Sequence, residues 1–280
     1  MKKIILAVWL LFVLHFSVNA QTTKVMTYNI RLDVASDGEN DWNHRRDFLT
    51  SQIKFYEPDL FGVQEATPNQ VQDLDAILTQ YAHIGIGREG EGKGEASAIF
   101  FKKEKYTVSN QQTFWLSETP NTISKGWDAS YLRVCTYALF RDKQTKETFW
   151  VFNTHLDNNG VVARQKGIEL ILAKIKEVNK AGYPVILTGD FNATPNSEVI
   201  SNLRKAMTDT RDISQTKAFG PNGTFNGFNY SQPATELIDY IFVDNSKKIS
   251  VKKHATLTDS NNLHFPSDHF PILVELSFQK

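Results

Sequence analysis

The sequence predicts a single α+β domain in which two β-sheets pack together beneath covering helices. Three observations lead there. Eight short runs are continuously apolar or alternate apolar and polar residues over strand length. Three longer stretches carry apolar residues at helical spacing. No repeat, low-complexity tract or linker divides the 280 residues, a length that suits one large domain.

In chain order, the first twenty residues, "MKKIILAVWLLFVLHFSVNA", stand apart. Two lysines precede an apolar stretch from Ile4 to about Val18, and Val-Asn-Ala follows. That is the layout of a secretory signal peptide cleaved after Ala20, and the stretch is short for a membrane span. No cysteine stands near the cleavage site to carry a lipid. The mature domain is therefore expected over residues 21–280, exported to the periplasm or beyond the cell.

The strand-like runs are "KVMTYNI", "LFGVQEA", "SAIFF", "RVCTYALF", "FWVFNTHL", "PVILTGDFN", "LIDYIFV" and "FPILVELSF". Helical spacing appears at Phe48, Leu49, Ile53 and Tyr56 within 45–56, and at Val71, Leu74, Ile77 and Leu78. A third stripe is Ile168, Ile171, Leu172, Ile175 and Val178, with Lys and Glu opposite. Thr194-Pro195 reads as an N-cap followed by proline at the first helical position, so a fourth helix is expected there. "GREGEGKG" (87–94) fits most of a phosphate-binding P-loop, but Gly94 stands where Ser or Thr must hold magnesium. A strand-like run follows where a helix is required, so a flexible loop is expected.

Composition excludes some functions. The chain has 31 basic and 31 acidic residues; without Lys2 and Lys3 the balance is 29 against 31, a formal −2. A long nucleic acid held mainly through its phosphates favours a positive excess. Cys135, the single cysteine, excludes an internal disulfide framework, and its alternating surroundings predict a buried thiol.

The acids, amides and histidines gather at strand ends. Asn29 ends "VMTYN", Glu65 ends "LFGVQ", Asn153 and His155 end "FWVFNTH", and Asp190 and Asn192 end "VILTGDFN". Asp239 interrupts "LIDYIFV", while Asp268 and His269 precede "FPILVEL". Singly, each has an ordinary reading as a turn former, a solvated charge or a satisfied core histidine. Asp239 is hardest to dismiss, because a carboxylate among Leu237, Ile238, Tyr240 and Ile241 needs a partner. Taken together, the oxygen ligands without a cysteine cluster suit Mg²⁺ or Mn²⁺. Beside a His–Asp pair, such a set suits hydrolysis of a phosphate ester.

The motifs "TYNIR", "QEA", "NTHLD", "GDFNATP", "LIDYIFV" and "SDHFPI", in this order from residue 27 to 272, resemble the endonuclease/exonuclease/phosphatase superfamily, which includes pancreatic-type (DNase I-like) deoxyribonucleases. "FWLSETP", "GWDASYLRVCTYA" and "GTFNGF" resemble a secreted bacterial branch near its deadenylase- and nocturnin-like members. The resemblance implies a four-layer α/β/β/α sandwich with the site at one edge. It implies Glu65, Asn29 and Asp268 at the metal and Asp190 as the group acting on water. Asn192, Asn153 and Arg133 would contact substrate phosphate; Arg164 is either a further contact or part of a solvated helix face. His269 would contact a phosphate oxygen with Asp239 as its partner, and His155 would contact phosphate or protonate the leaving group. The branch has histidine where this chain has Asn158, which removes a charge.

The expected function is a secreted, Mg²⁺- or Mn²⁺-dependent phosphoesterase acting on a phosphodiester or phosphomonoester. The substrate is a nucleic acid end, a nucleotide, a phosphorylated metabolite or a phospholipid headgroup. The alternative is a metal-dependent binder of a phosphorylated ligand or partner protein, without turnover. No basic amphipathic helix suggests a membrane, so no stable membrane association is expected, and the chain is read as a monomer.

Overall fold

A computed structural model describes residues 22–279, and the predicted leader lies outside them. The strands of the first sheet are β1 (Thr23–Asn29), β2 (Leu60–Gln64), β3 (Tyr81–Ile84), β4 (Ile99–Lys102), β11 (Ile249–Thr256) and β12 (Ile272–Phe278). The second sheet holds β5 (Tyr106–Trp115), β6 (Val134–Asp142), β7 (Thr148–His155), β8 (Val185–Asp190), β9 (Met207–Asp209) and β10 (Asp239–Asp244). Their orders are β11-β12-β1-β2-β4-β3 and β5-β6-β7-β8-β10-β9. The helices are α1 (Trp42–Tyr56), α2 (Pro68–Ile77), α3 (Val161–Val178) and α4 (Glu198–Ala206).

Strand periodicity sorts the side chains into layers. Leu60, Ile99, Phe140, Phe149, Ile186, Ile241 and Val274 fill the space between the sheets. Their neighbours one residue along face outward. Met26 and Phe61 meet Leu49, Ile53 and Leu74 of α1 and α2. Phe152 and Leu187 meet Ile168, Ile171, Ile200 and Leu203 of α3 and α4. The result is the four-layer α/β/β/α sandwich, in one domain. Cys135 is buried, and burial pushes its thiol up.

All eight predicted strands form. The four that sequence reading missed, β3, β5, β9 and β11, are the four sheet edges. The fourth helix begins later than expected. Thr194 to Ser197 is a turn, with Ser197 N–H donating to Thr194 O at 2.9 Å, and Ser197 caps α4 by accepting from Ile200 N–H. Proline at 195 shapes the turn instead of opening the helix.

Two parallel pairs position the functional edge. β1 and β2 run parallel across α1, and β7 and β8 run parallel across α3. In such units the carboxyl ends of both strands finish at one edge. β10 runs antiparallel to β8, so its first residue, Asp239, pairs with the last of β8, Asp190. β12 runs antiparallel to β1 and starts beside its end, with Ile272 opposite Thr27.

A polar layer lies between that edge and the apolar centre, and it accounts for Asn153. This side chain was expected to contact substrate phosphate. It is instead wholly buried one strand repeat below the edge. Its Nδ2 donates to Val63 O at 2.9 Å and Ala98 O at 3.0 Å, and its Oδ1 accepts from Gln64 Nε2 at 2.7 Å. Gln64 also donates to Thr27 Oγ1, and Thr188 Oγ1 lies 3.0 Å from Asn153 Oδ1. Asn153 therefore ties the sheets together. Gly62 makes room for it: a Cβ there would lie 2.4 Å from Asn153 Oδ1. Asn153→Ala strands buried donors and acceptors and is expected to cost about 2–4 kcal/mol, read as a lower urea midpoint.

A second buried polar group lies away from the edge. His254 Nδ1 is 3.0 Å from Thr210 Oγ1, whose hydrogen goes to Ile241 O, and His254 Nε2 is buried with no partner among the described residues. Burial, with Arg211 nearby, lowers its pKa to about 3. The unfolded imidazole titrates near its ordinary value, so above that pH both states are neutral and stability is full. As the pH falls toward 3, the unfolded chain takes up a proton that the folded chain refuses, and stability is lost. The loss is expected to reach about 3 kcal/mol between about pH 7 and pH 4, and His254→Gln should lose less over that range in urea titrations.

Candidate active site

At the edge, the strand-end groups surround a cleft of about 500 Å³. Glu65, Arg133, His155, Asp190, Asn192, Asp268 and His269 all line it. Asn29 and Asp239 stand just behind and hold lining groups in place. Nine of the ten residues expected from sequence thus converge, and Asn153 is the exception.

The core of the site is a cluster of hydrogen bonds and close charged contacts around Asp190 and His269. His269 Nδ1 is 2.9 Å from Asp239 Oδ2, and its Nε2 is 3.8 Å from Asp190 Oδ2. Asp190 Oδ2 accepts from Asn29 Nδ2 at 2.9 Å and lies 3.4 Å from His155 Nε2, while its Oδ1 accepts from Asn192 N–H. Burial, reinforced by the charge of Asp239 opposite, pushes Asp190 up to about 7, although His269 opposes this. A carboxylate so placed is matched to taking a proton near neutral pH.

The two histidines differ in charge. Burial alone would depress His269, but Asp239, with Asp268 and Asp190 near, lifts it well above its ordinary value, so it is an imidazolium. Burial, with Arg133, His269 and Arg88 near, holds His155 far below its ordinary value, so it is neutral. In this state His155 is placed to accept a hydrogen bond and not to give up an ionised proton. Its Nε2 accepts from Asn192 Nδ2 at 3.0 Å. The other Asn192 amide hydrogen goes to Leu156 O, so a phosphate contact from Asn192 has to displace one of these partners.

Backbone geometry at the strand ends aims these groups. Asn192 and Glu65 both have left-handed backbones, with φ of 46° and 62°. Asparagine tolerates that region, but glutamate there is uncommon and fits a functional constraint. The "GTFNGF" loop is stitched across the edge: Thr224 Oγ1 accepts from Ile238 and Asp239 N–H, and Phe270 N–H donates to Thr224 O. It sets Phe225 edge-on against His269, with ring centroids 5.1 Å apart.

Which groups suit a divalent cation follows from these partners. Asp190, Asp239 and His269 place ligand atoms within 4.8 Å of one another. Yet His269 is protonated and committed to Asp239, and an imidazolium does not ligate. Glu65 and Asp268 offer the hard carboxylate oxygens such a cation prefers. Among the described residues, Glu65 accepts only from Asn29 Nδ2 and Leu32 N–H, at 3.1 and 3.0 Å. Asn29 acts here through its amide hydrogens, because its oxygen accepts from Arg31 N–H. Ligation by Asn29 would use the opposite amide orientation.

Sequence reading missed Arg31, Arg88 and Asp157. Arg31 makes a forked pair with Asp37 at 2.8 and 2.9 Å, and its guanidinium lies within 4.0 Å of both Glu65 and Asp268. Its position directly after "TYNI" was the available signal. Asp157 accepts from Gly160, Ser130 and Tyr131 N–H, which outweighs burial and lowers its pKa to about 2. It lies 3.4 Å from Arg133 Nε, and Asn158 Oδ1 accepts from Arg133 Nη2 at 3.3 Å. Asn158 therefore helps to hold Arg133. Arg164 donates to Asp157 O and is not among the cleft-lining groups described above.

Comparison with known proteins identifies the family and the fold. Residues 26–269 match the Endonuclease/Exonuclease/phosphatase family. An endonuclease/exonuclease/phosphatase from Bacteroides vulgatus is 37% identical, with a TM-score of 0.87 over 92% of this chain and 100% of that one. A mannosyl-6-phosphatase from Bacteroides thetaiotaomicron is 36% identical, with a TM-score of 0.87 over 91% of this chain and 100% of that one. The Ccr4 exoribonuclease subunit of the CCR4-Not complex from Yarrowia lipolytica is 24% identical over 93% of this chain, which spans only 48% of that protein.

Proposed function

Because the chain belongs to the endonuclease/exonuclease/phosphatase family, we propose that it is an exported, divalent-metal-dependent phosphoesterase whose substrate is a phosphorylated sugar. One observation carries the chemistry: a buried carboxylate with raised pKa and a carboxylate-paired imidazolium face Glu65 and Asp268 across one cleft. The sugar follows from likeness to the mannosyl-6-phosphatase, which this chain matches along that protein's whole length. The formal −2 of the mature chain also speaks against avid binding of a long polyanion.

The residues divide the work as follows. Asp190 accepts a proton from water while the water oxygen attacks phosphorus and the bond to the sugar oxygen breaks; the departing oxygen takes a proton from solvent water in the open cleft, and Asp190 returns its own to solvent. His269, held charged by Asp239, donates to the phosphoryl oxygens as negative charge builds in the pentacoordinate transition state. Neutral His155 and Asn192 hold the far side of Asp190. Arg133 supplies positive charge without a proton to lose. Glu65 and Asp268 would hold a divalent cation, which when bound neutralises phosphate oxygens and polarises phosphorus.

Export rests on the first twenty residues; mass spectrometry of the secreted protein should find its N-terminus at Gln21. The activity is tested with purified mature protein on hexose phosphates, nucleotides, oligonucleotides and phospholipids with Mg²⁺ or Mn²⁺. Inorganic phosphate released from a hexose phosphate is the expected result. Cleavage of oligonucleotides without turnover of any sugar phosphate would contradict the substrate assignment. Tight, metal-dependent binding with no turnover on any substrate would favour the non-catalytic alternative.

A further inference from the structure

The glycine-rich segment rejected as a P-loop builds one wall of the cleft. Residues 87–96 fold back on themselves: Arg88 N–H donates to Glu95 O at 2.8 Å, and Glu89 N–H donates to Lys93 O at 3.2 Å. Gly87 permits the tight return, since a Cβ there would lie 1.9 Å from Lys93 O. Ala96 N–H then donates to Ala66 O, which fixes the loop beside Glu65. Trp115 Nε1 donates to Arg88 O at 2.7 Å. The loop is thus closed on itself and anchored from two sides, not the flexible loop expected from sequence, and what it presents to the cleft is an ion pair.

Arg88 Nη1 donates to Glu95 Oε2 at 2.9 Å, and Nη2 lies 2.7 Å from Oε1. The two side chains are only 16% and 14% exposed. Taking a charged pair this far out of water is costly, and structural gain seldom repays it. Both groups line the main cleft and an adjoining recess that they share with Glu65, Arg133 and His155. The pair therefore sits beside the groups proposed to act on phosphate. The Arg88 and Arg133 guanidiniums both lie over the Tyr131 ring, 5.3 and 5.5 Å from its centroid, which fixes their positions.

Charge balance decides what this wall can recognise. Glu95 offsets Arg88, and Asp157 lies 3.4 Å from Arg133, so beyond the Arg133 charge used on the scissile phosphate the wall offers, among the described residues, no free cation for a second phosphate. It does offer guanidinium donors next to carboxylate acceptors. A sugar hydroxyl both donates and accepts, so adjacent hydroxyls match that alternation. We propose that the Arg88–Glu95 pair selects the leaving group, by hydrogen-bonding neighbouring hydroxyls of a neutral polyol attached to the scissile phosphate. This rests on the phosphoesterase reading above and adds the residues that choose among phosphate esters.

The test compares mannose 6-phosphate with p-nitrophenyl phosphate, whose leaving group has no vicinal hydroxyls, in wild type, Arg88→Met and Glu95→Gln. The readout is the ratio of the two kcat/KM values within each protein, which a general loss of folded or active enzyme leaves unmoved. Both variants are expected to lower that ratio by about 10- to 100-fold, mainly through a higher KM for the sugar phosphate. A ratio within twofold of wild type in both variants would overturn the proposal. So would a wild type that hydrolyses p-nitrophenyl phosphate but no hexose phosphate, and that outcome would leave the phosphoesterase reading standing. A wild type that hydrolyses neither would sink both.

Discussion

Asp190→Asn is expected to lower kcat on a phosphomonoester by about 10³-fold or more, with a much smaller change in KM. Asp190 ends β8 with 1% exposure and lies within 4 Å of both cleft histidines. An amide fills the same space but takes no proton from water. Asn29 Nδ2 and Asn192 N–H donate to different oxygens of Asp190, so the single amide oxygen keeps one of these bonds and the other is lost, a cost set against the relief of buried charge. The same substitution removes a buried charge opposite Asp239, with which Asp190 is in cross-strand register. Its thermal midpoint is therefore expected to be unchanged or higher, the pattern of a site that gives up stability for function. A variant that unfolds several degrees lower and loses activity in proportion would mark Asp190 as a structural residue.

Glu65→Gln is expected to have an effect of similar size by a different route. Glu65 leaves β2 in a left-handed conformation that turns its carboxylate into the cleft. Its contacts are one amide hydrogen, one backbone N–H and the flank of Arg31. Glutamine keeps the length but replaces a charged oxygen with an NH₂ group. Mn²⁺ affinity measured by titration calorimetry should fall at least about 10²-fold, and turnover should fall with it. EDTA should abolish wild-type turnover and added Mg²⁺ should restore it. If Glu65→Gln binds Mn²⁺ as wild type does, the cation is held elsewhere, and the Asp190–Asp239–His269 group becomes the place to look.

The legibility of the sequence follows the physics of each position. Central strands are buried on both faces and are apolar over most of their length, so their runs stood out. The edge strands β5 and β11 face solvent and carry polar residues such as Ser109 to Gln112 and Lys252-Lys253, while β3 and β9 are four and three residues long. Edges are kept short or polar because unpaired strands invite aggregation, and this also hides them from pattern reading. The site was legible for the complementary reason: acids and histidines at the ends of apolar runs conflict with burial unless they meet one another.

Asn153 shows where that reasoning overreaches. It lies two residues before His155 on β7 and therefore faces the same way, between the sheets. Only the last residue on that face reaches the cleft, while the one below joins the layer of Thr27, Gln64 and Thr188. Arg88 was hidden differently. Its place in the cleft depends on a loop return and on Tyr131, which is distant in sequence, and no local pattern encodes that meeting.

Heavy-oxygen water shows whether water attacks phosphorus at this edge. Mature protein is given a hexose phosphate and Mg²⁺ in labelled water, and the released phosphate is followed by phosphorus NMR. One labelled oxygen in each phosphate and none in the sugar hydroxyl is the predicted result. Label in the sugar instead, or phosphate formed equally fast by Asp190→Asn, would contradict the account.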